Sequence, residues 1–235
     1  MFIWDETDAG VRRAVTGRAG GVSTGPAAGL NLARHVGDRD EDVTENRRRL
    51  EAAVGAPVAY MDQCHGSDVA VVGAVPDTAP TCDALVTTAD DLALAVLVAD
   101  CVPVLLASPE GVLGAAHAGR PGLLAGVVPA VVAAMRDLGA TALDAVVGPS
   151  VCGRCYEVPG QMRAAVAAQH PVAPTVSWTG TPALDVGAGV VAALRGLDVA
   201  VTWVPGCTRE RDDLYSYRRD HATGRFAGVV TRAAA

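Results

Sequence analysis

The stretch LALAVLVADCVPVLLASPEGVLGAAHAG, from Leu92 to Gly119, carries the densest apolar signal in the chain. Three runs stand out: Leu92 to Val98, Val102 to Ala107 and Val112 to Ala116. Runs of this length, rich in Val and Leu and bounded by turn residues, predict strands buried on both faces. Ser108-Pro109-Glu110-Gly111 has turn chemistry, so the second and third runs should form an antiparallel hairpin. Centred on Pro109, that hairpin sets position 101 opposite position 117, where Cβ atoms lie about 4.5–5.5 Å apart. Cys101 and His117 would then meet at its open end, with Asp100 before the cysteine and Gly119 after the histidine.

Flanking segments supply the rest of the fold. Val11–Thr16, Val58–Met61, Val69–Val72, Ala84–Thr87, Leu143–Val147, Val199–Val204 and Phe226–Val230 read as strands. A polar loop from Ser23 to Arg39 should lead into a helix capped by Asp38 or Asp40, with Val43, Leu50 and Val54 on its inner face. Further helices are predicted over Gly122–Leu138, near Gln161–Gln169 and near Val186–Leu194. Pro129 should kink the first of these or delay its start. Strands and helices without strict alternation imply an α+β fold, with helices covering a mostly antiparallel sheet. No repeat, low-complexity tract or long linker divides residues 1–235, so one domain is expected.

Composition narrows the function classes. Half of the 235 residues are hydrophobic but only 4% are aromatic, so the core must be built from Val, Leu and Ala. A net charge of −7 argues against a broad nucleic-acid or anionic-membrane surface. A small anionic substrate remains compatible, because a few arginines suffice to hold one. Met1-Phe2-Ile3-Trp4-Asp5-Glu6 lacks a basic n-region, and the longest apolar stretches are interrupted by Asp100, Pro103 or Pro129. A cytoplasmic protein with no membrane span is therefore expected. In that compartment the six cysteines point to ligands or nucleophiles rather than disulfides.

A thiolate and a neutral imidazole are both good zinc ligands, and His65 in Gln63-Cys64-His65-Gly66 is the best third candidate. On spacing alone the ligands would be scattered, and ordinary satisfied histidines with a small core cysteine are the favoured reading. Cys152-Gly153-Arg154-Cys155 offers a redox pair or half of a zinc site. With no second such motif it reads as incidental to a structural turn, and Cys64, Cys82 and Cys207 read as packing residues.

Motifs in order along the chain carry a family resemblance. Thr16-Gly17-Arg18-Ala19-Gly20-Gly21-Val22-Ser23 is similar to the TxRxGGVS opening of the YfiH, or laccase-domain, family. Gly29-Leu30-Asn31-Leu32, His35-Val36-Gly37-Asp38 and Glu45-Asn46-Arg47 resemble its SLNLxxHVGD…ENR run. Gln63-Cys64-His65-Gly66 resembles QVHG, Ala99-Asp100-Cys101-Val102-Pro103-Val104 resembles TADCxPV, and Ala116-His117-Ala118-Gly119 resembles the start of HAGWRG. Gly148-Pro149, Cys155-Tyr156-Glu157-Val158 and Ser216-Tyr217-Arg218-Arg219-Asp220 are similar to GPxIGxxxYEV and the terminal SYRRD. One departure stands out: Arg120-Pro121 replaces the family's Trp-Arg pair, which puts substrate binding in question.

The resemblance implies a layered sandwich like the catalytic fold of cytotoxic necrotizing factor toxins, and one zinc ion on His65, Cys101 and His117. It implies phosphorolysis of adenosine, inosine and methylthioadenosine, and deamination of adenosine by a zinc-activated water at the purine C6. Nucleoside and phosphate would be the partners. Cys101, His117 and Asp100 form the expected catalytic set, with Asp100 as the candidate for proton transfer. Arg18, Asn46, Arg47, Gln63, Arg120 and Arg219 form the expected substrate contacts, since a guanidinium fork suits phosphate or sugar oxygens. Rival readings are a Cys–His hydrolase or deamidase with Cys101 as nucleophile and His117 as base, an editing factor for peptidoglycan precursors, and a copper polyphenol oxidase. A full laccase needs several coppers, and five histidines are too few for that.

Overall fold

The computed structural model describes residues 1–233. The first strands are β1 (Phe2–Asp8), β2 (Val11–Thr16), β3 (Val58–Ala59), β4 (Val69–Val71) and β5 (Ala84–Thr87). The apolar heart of the chain forms β6 (Ala93–Val98), β7 (Val102–Ala107) and β8 (Leu113–Ala118). Then follow β9 (Asp144–Val147), β10 (Pro174–Val176), β11 (Pro182–Leu184), β12 (Ala200–Trp203) and β13 (Phe226–Arg232). The helices are α1 (Asp40–Val54), α2 (Arg120–Ala125), α3 (Val127–Asp137), α4 (Gly160–Gln169), α5 (Val186–Arg195) and α6 (Tyr217–Asp220). A five-stranded sheet runs β1-β2-β13-β6-β3, a six-stranded sheet runs β12-β9-β7-β8-β5-β4, and β10 and β11 form a separate ribbon. Among the described residues the named strands pair in parallel at β3–β6, β4–β5 and β9–β12, and antiparallel elsewhere. The α+β class with mostly antiparallel sheets is what the pattern predicts.

Side-chain alternation explains the layering. Leu94, Val96 and Val98 of β6 pack with Leu105, Leu113, Ala115 and Phe226, so the two sheets face each other across one core. Residues of opposite parity in β6, Ala93, Ala95 and Leu97, pack outward with Leu50 of α1 and with Leu30 and Leu32. On the far side, Val102, Val104 and Leu106 of β7 meet Val131 and Met135 of α3 and Val190 and Leu194 of α5. Strands covered on both faces need no polar side, which is why they read as continuous apolar runs. Full burial of each Leu or Val contributes about 1.5–3 kcal/mol.

Three local expectations are corrected, and three strands are found that were not expected. The hairpin pairs Val102 with Ala118 and Pro103 with His117, so it is centred on Glu110 rather than Pro109. The reason is the turn: Ser108 pairs with Val112 through its backbone and Gly111 takes φ 89°, which leaves a three-residue loop. Neither Asp38 nor Asp40 caps α1; Arg39 occupies that position without a side-chain bond. The Asp38 carboxylate is instead committed to Ser23 and Asn31, and the acidic first turn of Asp40, Glu41 and Asp42 complements the helix dipole. The predicted helix over Gly122–Leu138 is two helices, parted by Gly126 at φ 89°, with Pro129 in the first turn of the second. Finally, β1 and the β10–β11 ribbon lack the apolar run that marks a strand, and half of β1 is exposed acid and threonine.

Candidate metal centre

Cys101 lies one pair beyond the β7–β8 ladder, diagonal to His117 rather than across from it, at a bend where Asp100 has φ 93°. His65 arrives from the loop after β3, with φ 64°. The three side chains converge: one ligand atom from each lies within 4.8 Å of the others. Cys101 Sγ is 3.9 Å from His65 Nε2, and the two imidazoles meet edge to face with centroids 4.7 Å apart. His117 is buried, Cys101 half-buried and His65 exposed, so the cluster is reachable from one side.

A residue absent from the sequence-derived site organises it. Asp83 has no exposed surface, and its Oδ1 bonds His117 Nδ1 at 2.8 Å. With Nδ1–H donating to the carboxylate, Nε2 of His117 keeps its lone pair for a metal. The same carboxylate accepts from the backbone N–H groups of Cys64 (3.2 Å), His65 (3.0 Å) and Gly66 (2.6 Å). Its own carbonyl accepts from the His117 N–H at 2.8 Å. One buried acid thus orients two of the three ligands. The available signal was an acid opening an otherwise apolar strand, Asp83 before Ala84–Thr87.

Electrostatics favour the ligand form of the sulfur. Burial pushes the Cys101 thiol up, but His117 and His65 outweigh it and bring it down to about 6. Burial pulls His117 down, while Cys101 and Asp83 overcome it and lift the imidazole to about 9. Burial also opposes ionisation of Asp83, yet hydrogen bonds from His117, Cys64 and Gly66 hold it well below the usual carboxylate range. In metal-free protein, alkylation of Cys101 should therefore rise with a midpoint near pH 6, because the thiolate reacts and the thiol does not. Bound metal should block it. An alkylation midpoint above pH ~8, where an ordinary thiol titrates, would contradict this electrostatic picture.

The donor set fits a transition-metal ion: two imidazole nitrogens and one thiolate, leaving a fourth position open. A Cβ on Gly119 would stand 3.0 Å from both Cys101 Sγ and His65 Cδ2, so glycine keeps the cluster uncrowded. Among the described residues, His65 and His117 are the histidines that enter such a cluster, too few for a multicopper centre.

A cavity of about 400 Å³ opens onto the cluster. Of the expected substrate contacts, Gln63 and Arg120 line it, as does Asp100. Gln63 exchanges two hydrogen bonds with the Leu97 backbone, at 2.8 and 2.9 Å. Asp100 Oδ1 accepts from Thr208 and Ser216, and its Oδ2 accepts from the Arg218 N–H. Arg18, Asn46, Arg47 and Arg219 do not line the cavity, and each has a structural engagement instead. Arg18 lies over the Tyr215 ring and Arg47 over the Tyr60 ring. Buried Asn46 bonds Ser23, Gly29, Asn31 and Val22. Arg219 grips the carbonyls of Thr208, Arg211 and Leu214. Its neighbour Arg218 faces the cavity, since successive helical residues point about 100° apart. His35, Tyr156, Tyr217 and Arg225 also line it. They sit in or beside motifs, but nothing in linear sequence aims their side chains.

A cysteine and two histidines able to hold a metal ion, beside an arginine-lined cavity in a layered α+β sandwich, define a candidate open metal centre. The chain belongs to the laccase-like YfiH family, described as multi-copper polyphenol oxidoreductase laccase, whose model matches residues 12–233. A solved Neisseria meningitidis protein of this family, also termed DUF152, superposes with TM-score 0.88 at 34% identity and covers 99% of both chains. The hypothetical protein YfiH of Bacillus licheniformis superposes with TM-score 0.86 at 26% identity, covering 94% of this chain and 92% of its own. A Streptomyces coelicolor protein named purine nucleoside phosphorylase is 54% identical over 234 residues, 96% of this chain and 97% of that one. A Corynebacterium glutamicum protein of the same name is 44% identical over 240 residues, covering 98% of each. No helix of the described residues is long and apolar enough to cross a membrane.

Proposed function

We propose that this chain is a zinc-dependent purine nucleoside phosphorylase that accepts adenosine, inosine and methylthioadenosine and also deaminates adenosine. The observation that carries the reading is the cavity itself, where a three-ligand cluster shares its walls with Arg120, Arg218, Arg225, Tyr156 and Tyr217. The naming of relatives that match nearly end to end supports it. His65, Cys101 and His117 hold the zinc, which when bound supplies Lewis-acid chemistry. The arginines neutralise and orient phosphate for attack at the ribose C1′, whose bond to the purine nitrogen breaks as the new C–O bond forms. Tyr156 and Tyr217 offer aromatic faces to the base. Asp100, with both oxygens already accepting hydrogen bonds, positions Cys101 and Arg218 rather than moving a proton. We place the protein in the cytoplasm, where its free cysteines stay reduced.

The test is incubation of purified protein with inosine or adenosine, with and without phosphate, following free base, sugar phosphate and ammonia. Phosphate-dependent release of base is expected. Arg218 stacks on Tyr156 at 4.9 Å, leaving its guanidinium available to an anion. Arg218→Ala should raise the phosphate KM roughly 10–100-fold, the equivalent of a charge-assisted hydrogen bond. An unchanged KM for phosphate would remove Arg218 from the anion site. A second reading draws on the Cys101–His117–Asp83 alignment, in which a thiolate, a base and an orienting acid form a hydrolytic triad.

A further inference from the structure

Away from the cavity cluster, Cys152, Cys155, Cys207 and Glu210 bring one donor atom each within 4.8 Å of all the others. Two turns of the same build supply them. In Cys152-Gly153-Arg154-Cys155, the N–H groups of Cys155 and Tyr156 both donate to the Cys152 carbonyl, at 2.9 and 3.0 Å. In Cys207-Thr208-Arg209-Glu210, the N–H groups of Glu210 and Arg211 both donate to the Cys207 carbonyl, at 3.1 Å each. Each turn thus offers its first and fourth side chains, and each carries an arginine in its third position. A parallel bridge between Ser150 and Cys207 sets the two turns side by side.

Cys155 and Cys207 pack with Val151, but the cluster also makes polar contacts that an apolar core does not. The Cys152 N–H donates to Cys207 Sγ at 3.4 Å, and Cys155 Sγ lies 3.2 Å from Glu210 Oε1. Trp178 Nε1–H donates to that same oxygen at 3.4 Å. Packing alone would explain small apolar residues, but not a carboxylate delivered by a turn matching that of the cysteine pair. The motif in the sequence lacks a second C-x-x-C because its partner is C-x-x-E, and only the fold brings the halves together.

We propose that Cys152, Cys155, Cys207 and Glu210 bind a second, structural zinc ion through three thiolates and one carboxylate. Four protein ligands close the coordination shell, so this site takes no substrate, in contrast to the open cavity cluster. Thiolate-rich tetrahedral donor sets select zinc among the common divalent ions. Arg154 lies over the Trp178 ring, whose indole N–H donates to Glu210. The site ties the segment carrying Val151 and Tyr156 to the one carrying Thr208, which bonds Asp100 beside Cys101. Its function is to clamp two walls of the cavity.

Metal analysis of the full chain, purified without chelators, tests the proposal. Cys101→Ser should retain at least one zinc per chain, and the further substitution Cys207→Ser should lower the content by one whatever the cavity cluster holds. Because Cys207→Ser can unfold the chain, cobalt loading of folded Cys101→Ser gives an independent reading. Strong thiolate-to-cobalt charge-transfer absorption, lost on adding zinc, is expected. Cys101→Ser without zinc and without that absorption would overturn the site. So would a disulfide among Cys152, Cys155 and Cys207 in protein isolated under reducing conditions.

Discussion

Replacing Asp83 with asparagine should weaken zinc binding at the cavity cluster about 10–100-fold, as loss of a carboxylate behind a ligating histidine does. An amide presents oxygen on one side only. Its NH2 must face either the Cys64 and Gly66 N–H groups or the His65 N–H and His117 Nδ1–H, so donors meet donors in a fully buried site. The metal-free variant should also be less stable by about 3–5 kcal/mol, the range for breaking one side of a buried ion pair. This loss has a pH window. Asp83, whose pKa is depressed on folding, adds stability above the ordinary carboxylate range that is lost as pH falls. His117 adds stability that is complete below pH ~6.5. That contribution disappears as pH rises through about 9. Competition with a chromogenic chelator measures the affinity, and urea unfolding across pH measures the stability. Equal affinity and equal midpoints would show that Asp83 does not organise the centre.

The second large effect concerns Cys101→Ser. A neutral hydroxyl replaces a strong thiolate ligand, so zinc should leave the cavity cluster. On the proposed function, losing several kcal/mol of Lewis-acid stabilisation should lower phosphorolysis roughly 10³-fold. The same variant separates the two readings of the site. A metal ligand predicts parallel loss of cavity zinc and turnover, whereas a nucleophilic cysteine predicts lost turnover with cavity zinc retained. Any zinc at Cys152, Cys155, Cys207 and Glu210 must be subtracted, which the cobalt spectrum of the variant permits.

Much of this protein is legible without coordinates. Unbroken apolar runs from Leu92 to Ala116 announce doubly covered strands, because only a strand with no solvent face can omit polar residues. Ser108-Pro109-Glu110-Gly111 announces the hairpin, and the ordered motifs announce the family and its ligand trio. Other features are set by contacts between residues far apart in the chain. The hairpin register depends on where Gly111 takes its left-handed turn, one position from where composition suggests. Which arginine of Arg218-Arg219 reaches the cavity depends on how α6 docks, since either side chain is chemically equivalent. Arg18 and Arg47 belong to substrate-like motifs yet spend their charge on aromatic faces and carbonyls. Asp83 and the Cys207–Glu210 turn bear no local mark of their partners. Sequence by itself determined the buried strands, the fold class and the residue types able to hold a metal, because periodicity and side-chain chemistry are local properties. Tertiary structure alone decided which acid orients His117 and which four side chains converge away from the cavity, because convergence across 34 residues in one case and 55 in the other is a property of packing.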